Sequence, residues 1–170
     1  MMLSGLRYRK AVFISTIIII LILISNVGQA KTKVSSYEFR WALAHPFIAA
    51  KAKDISDRAL LLTDSIDKTG LLKGGSGGQL DAFKHAVWMA LLGQQFKANK
   101  IYKLGLAHEK SNYRQAKKGR GGGDQTASEM DLWNNEVGAK IGVRYPSIAE
   151  KDLIELIIKA IKSGEMRIVK

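Results

Sequence analysis

The chain has 170 residues, no cysteine and a formal net charge of +12. The missing cysteine excludes disulfides, thiolate metal sites and a cysteine nucleophile. The charge favours anionic partners such as a membrane surface, a wall polymer or a phosphorylated substrate. No basic-aromatic recognition motif accompanies it, so nucleic-acid binding is not supported.

The N-terminus reads as a targeting segment. Arg7, Arg9 and Lys10 form a positive region, Ala11 to Ser25 form an apolar run, and Gly28-Gln29-Ala30 offers a small-x-small cleavage site after Ala30. The alternative is an uncleaved anchor, although the apolar run falls short of the roughly 20 residues that span a bilayer. Either way residues 31–170 are expected outside the cytoplasm, in the periplasm or secreted. All 15 acidic residues and 24 of the 27 basic ones follow Ala30, so this part carries +9. It has the length of a single domain able to bury a core without staples.

From there the pattern is helical throughout. Ser35-x-x-Glu38 is a capping box opening a helix over about 37–44, and Pro46 ends it and starts the next. That second helix carries Ile48, Ala52, Ile55, Ala59 and Leu62 as one stripe towards Ile66. The run Gly74 to Gly78 reads as a flexible loop. The third helix, about Gln79 to Ala98, is apolar almost all round, which marks a central helix. A fourth covers about Lys100 to Gln115. A polar, glycine-rich loop then spans Ala116 to Gln125. Thr126-x-x-Glu129 and Ser147-x-x-Glu150 read as capping boxes for the last two helices, and Gly164 as the final stop. Without internal repeats or strand-helix alternation, the expected fold is an all-α, compact orthogonal bundle of about six helices.

Polar groups interrupt these apolar faces at three places. Asp81 and His85, four apart, share one face of the third helix, where a carboxylate can orient an imidazole or share a cation with it. His108 and Glu109 continue apolar stripes of the fourth helix and sit at the edge of its buried face. The residue four after His108 is Asn112, so the HExxH zinc pattern fails. Asp131, Asn135, Gly138 and Gly142 form one stripe of the fifth helix, with glycines that would let another helix or a ligand approach. Burying such groups costs several kcal/mol unless they meet partners, so the three segments should converge.

The expected site therefore combines His85, His108, Glu109 and Asn135 as catalytic groups. Asp81, His85, Glu109 and Asp131 are candidate ligands for one divalent metal ion. Lys117, Lys118 and Arg120, in the loop between the fourth and fifth helices, are candidate anion contacts. A hydrolase acting on an anionic envelope component, either membrane lipid or wall polymer, fits these residues and the charge. A non-enzymatic envelope protein, with the polar cluster as a hydrogen-bond lock, is the competing expectation.

The segments DAFKHAVW (81–88), AHE (107–109) and MDLWNNEVGAKIG (130–142) resemble an uncharacterised family of bacterial helical domains with the pattern DAFRHAYW, AHE and MDLHNNAVG. The resemblance covers about residues 75–142. It implies a small exported protein or a domain near the end of Rhs-type or wall-associated proteins, and by that company a toxin-like effector as a further alternative. The chain departs from the pattern at Lys84, Val87 and Trp133, the last replacing a histidine and thus one possible ligand.

Overall fold

The computed structural model describes residues 35–169, apart from Gly122. The signal or anchor segment assigned to residues 1–30 lies outside the described residues. Those described contain six helices and no strand. They are α1 (Ser36–Ala44), α2 (Pro46–Thr69), α3 (Gln79–Gly93), α4 (Ala98–Ala116), α5 (Gln125–Arg144) and α6 (Glu150–Lys162). None of the described helices is long and apolar enough to cross a membrane.

The all-helical expectation holds, and several boundaries follow from chemistry visible in the sequence. Ser35 caps α1 through its hydroxyl, and Glu38 reaches back to the Ser35 N–H, completing the capping box. Pro46 sits in the first turn of α2, where its missing N–H costs nothing. At the far end Gly164 has φ of 79°, and Glu165 N–H bonds Ala160 C=O, as in a Schellman stop.

Three boundaries differ from expectation. The helix α3 ends at Gly93 rather than Ala98, because Phe96 folds back onto Leu92 C=O and Lys97 turns extended to start α4. Asp124, not Thr126, caps α5: its carboxylate accepts from Ala127 N–H, leaving Thr126 inside the first turn. The expected box at Ser147 does not form. The helix α6 begins at Glu150, whose carboxylate is held by the Arg58 guanidinium of α2 instead. The Gly74–Gly78 run is a closed, hydrogen-bonded turn, with Gly78 N–H on Gly75 C=O and Leu80 N–H on Gly74 C=O.

As its all-round apolar pattern predicts, α3 is the central helix. Ala82, Phe83, Ala86, Val87, Ala90 and Leu92 are fully buried, and α2, α4, α5 and α6 all pack on it. Its closest partner is α5. A Cβ on Gly138 would stand 2.2 Å from Ala86 O, and one on Gly142 would stand 2.0 Å from Ala90 O. The glycine stripe thus serves a backbone-on-backbone helix crossing. Because Gly138 meets Ala86 and Gly142 meets Ala90, the two helices run in the same direction. Asp131 and Asn135, on the same stripe, are thereby carried towards the His85 end of α3.

Candidate functional site

His85 is the centre of a buried polar cluster built from three helices. Its Nε2 lies 3.8 Å from Asp81 Oδ1, one turn earlier on α3, and 3.4 Å from Asp131 Oδ2 on α5. Its Nδ1 lies 3.5 Å from Glu109 Oε1 on α4. The ring is 4 % exposed and Glu109 2 %. Asn135 donates to Glu109 Oε1 at 3.3 Å, and Asn112 donates to Glu109 Oε2 at 3.1 Å.

Two neighbours hold Asp81 in place. The Gly77 N–H donates to its Oδ2 at 2.8 Å, and the Lys84 ammonium bonds its Oδ1. Burial pushes this carboxyl up, but those two donors outweigh it and keep it below the usual range. Asp131 has no such help. Burial, together with the charges of Glu109 and Asp81, pushes its carboxyl up to about 8. Burial also raises Glu109 and holds the His85 imidazole down to about 3, with Lys84 acting in the same direction. Three carboxyl groups therefore crowd one neutral imidazole.

Asp81, His85 and Asp131 could hold a metal ion: one donor atom from each lies within 4.8 Å of the others. Bonds of about 2.0–2.2 Å at tetrahedral angles place donor atoms about 3.3–3.6 Å apart. The two carboxylate distances to Nε2 sit at or just beyond that spacing. Glu109 faces the other ring nitrogen, where a carboxylate fixes the tautomer of a metal-binding histidine.

Asp81, His85 and Asp131 form one wall of an open cavity of about 440 Å³, whose other walls include Lys84, His108, Asn112, Ser76 and Thr63. His108 Nδ1 is 2.7 Å from Glu38 Oε1, and its ring packs edge-on against Trp88 at 5.3 Å. Burial lowers the His108 pKa, but Glu38 and Glu109 outweigh it and hold the imidazole above its ordinary value.

A family model described as a domain of unknown function (DUF6973) matches residues 39–165. The chain belongs to that family. No curated protein and no solved structure matches it. The DUF6973 match encloses all three motifs read from the sequence.

Within this DUF6973 domain the sequence-predicted residues separate. Asp81, His85, Glu109, Asp131 and Asn135 come together, whereas His108 stands apart at the mouth, its ring centroid 6.2 Å from that of His85. Glu109, expected at the edge of the buried face, is fully buried. Neither it nor Asn135 lines the cavity, and the Asn135 amide donates to Glu109. Lys117, Lys118 and Arg120 are exposed in the α4–α5 loop and do not line the cavity, and Lys117 stacks on Tyr113. Trp133 lies in a different, shallower hollow with Tyr102 and Arg167. Trp133, a departure from the resembled pattern, therefore removes nothing from the Asp81–His85–Asp131 group.

Sequence reasoning missed Glu38 as a site residue. The sequence places it in the capping box, and Oε2 does serve there, while Oε1 holds His108 from 70 residues away. Lys84 enters the sequence analysis only as a departure from the resembled pattern. Its spacing of three from Asp81 on one helix was the available signal.

Proposed function

We propose that this protein is an exported, metal-dependent hydrolase acting on an anionic envelope substrate: a phosphodiester, a phospholipid or a wall polymer. The observation that carries the reading is a set of buried polar atoms without partners around one imidazole. His85 Nδ1, Asp131 Oδ1 and Asn135 Oδ1 make no hydrogen bond among the described residues. The Nε2 contacts to Asp81 and Asp131 are longer than hydrogen bonds. A cluster kept for packing would satisfy its members. A cation between Asp81, His85 and Asp131 would neutralise the crowded carboxylates and use the imidazole lone pair.

A divalent ion held there would supply a Lewis acid and activated water. The chain's own groups do the rest. Glu109, 3.5 Å from His85 Nδ1 and not hydrogen-bonded to it, would steer the ring from that side by its charge. Lys84, on the cavity wall, draws an anionic group towards the site. His108 is engaged through Nδ1 by Glu38, so Nε2 is the nitrogen able to give a proton to a leaving group. The +9 charge and the N-terminal targeting pattern support an envelope substrate.

The Asn135–Glu109 bond favours the competing reading, a structural lock. Elemental analysis of purified protein, with melting curves with and without chelator, separates the two. The hydrolase reading expects a stoichiometric divalent metal and a melting temperature that falls on chelation. It expects both lost in Asp81→Ala, and affinity about 10- to 100-fold weaker in Glu109→Gln. No bound metal and no chelator effect would sink it.

A further inference from the structure

Past α6 the chain does not trail away. Residues 163–169 run back across α5 as a strap held by side chains that present themselves like backbone. Asn134, fully buried, donates from Nδ2 to Arg167 C=O at 3.0 Å and accepts from Arg167 N–H through Oδ1 at 2.9 Å. Beside it the Trp133 indole donates to Glu165 C=O at 2.8 Å, and the Arg167 guanidinium lies 4.1 Å over the Trp133 ring. Met166 is buried in the core. The strap ends with Val169 N–H donating to Gly77 C=O at 2.9 Å.

Gly77 is the residue whose N–H holds Asp81 Oδ2. It is buried, and its φ of 80° belongs to the left-handed region where a side chain would be strained. Both backbone groups of this glycine are therefore engaged, one by the strap and one by a candidate metal ligand. We infer that the C-terminal strap is a positioning element for the metal site, setting the Asp81 carboxylate through Gly77, with Asn134 as its anchor. The inference rests on the metal reading above and extends it: a ligand on α3 is oriented by a segment that touches neither the metal nor the cavity. Ligating carboxylates are commonly held by such outer hydrogen bonds, and losing one weakens metal binding about 10- to 100-fold.

The test removes a single N–H. Val169→Pro deletes the donor to Gly77 and leaves the Asn134–Arg167 pair intact, while Val169→Ala keeps the donor. Deleting residues 169–170 removes the same group and serves if the proline variant melts early. Two readouts apply to the full chain: zinc or cobalt affinity by titration, and amide exchange at Gly77 in chelator-treated protein. The expected result is faster Gly77 exchange and about tenfold weaker metal binding in Val169→Pro, with Val169→Ala like wild type. Unchanged exchange at Gly77 overturns the inference, as does faster exchange with unaltered metal affinity. If the wild type binds no metal, the hydrolase reading and the positioning role fall together. A wild type that binds while Val169→Pro binds equally well removes the strap's role alone.

Discussion

Alanine at Gly142 will lower the melting temperature by about 10 °C, and alanine at both Gly138 and Gly142 will leave no folded domain. In an exposed helix the same change would stabilise by about 1 kcal/mol. Here the added methyl would meet Ala90 O at 2.0 Å, a backbone atom that cannot swing aside. Overpacking of this kind typically costs about 1–3 kcal/mol and more where the backbone must move. The helix α3 can retreat only by breaking its packing on α2, α4 and α6 as well. A net loss of about 3 kcal/mol corresponds to that shift for a domain of this size. Gly105→Ala is the control, since its methyl would meet Asn135 Nδ2 at an ordinary 3.4 Å. Equal melting of Gly142→Ala and Gly105→Ala would mean that α3 and α5 do not cross at this distance.

Asp131→Asn will move the stability of the metal-free fold and its response to a divalent ion in opposite directions. Chelator-treated Asp131→Asn will melt higher than wild type near pH 8, yet will show no rise in melting temperature on adding a divalent ion. In the metal-free fold the Asp131 carboxyl stands at about 8 against an ordinary 3.8. A folded pKa raised in this way contributes stability that is complete below pH 3.8 and lost as pH climbs through 8. His85 has the opposite sign: at about 3 against an ordinary 6.5, its contribution is present above pH 6.5 and lost as pH falls towards 3. From about pH 6.5 to 8 the folded imidazole is already neutral while the unfolded one loses its remaining proton, so His85 adds only a fading slope of opposite sign and the raised carboxyls govern the fall. Wild-type melting temperature should fall across this window, and the variant's should fall less. His108, raised by Glu38, adds a slope of the same sign that both proteins share. Identical slopes would show that Asp131 does not carry the strain assigned to it.

The parts of this molecule that were legible in the sequence are those written in local periodicity. The all-round apolar pattern of about 79–98 marks the central helix, although that helix ends at Gly93, and the spacing of Asp81 to His85 and of Asp131 through Gly142 marks which faces meet. The four polar residues on those faces converge, and with them Glu109 of α4; they could be read because burying them alone is costly. What escaped was set by pairings with no sequence spacing. Glu150 looked like a cap until Arg58, 92 residues away, took its carboxylate. Glu38 looked fully used by Ser35. The strap lacks any apolar period, so nothing in residues 163–169 announced that Asn134, conspicuous as a polar residue in a helix, would find its partner there.

The close crossing of α3 and α5 also bears on which ion the Asp81–His85–Asp131 group could hold. His85 is next to Ala86, where the two backbones touch, and Asp131 lies two turns before Gly138 on the other helix, so the spacing of the two helices that carry them is set by a contact without rotatable bonds. Such a helix pair has little room to spread for a larger guest. Calcium requires six to eight oxygen ligands at about 2.3–2.6 Å, whereas zinc is content with four donors, nitrogen among them, at about 2.0–2.2 Å. The glycines that let two helices touch would in this way act as a gauge of ionic radius, favouring the small borderline ions over calcium before any side chain chooses between them.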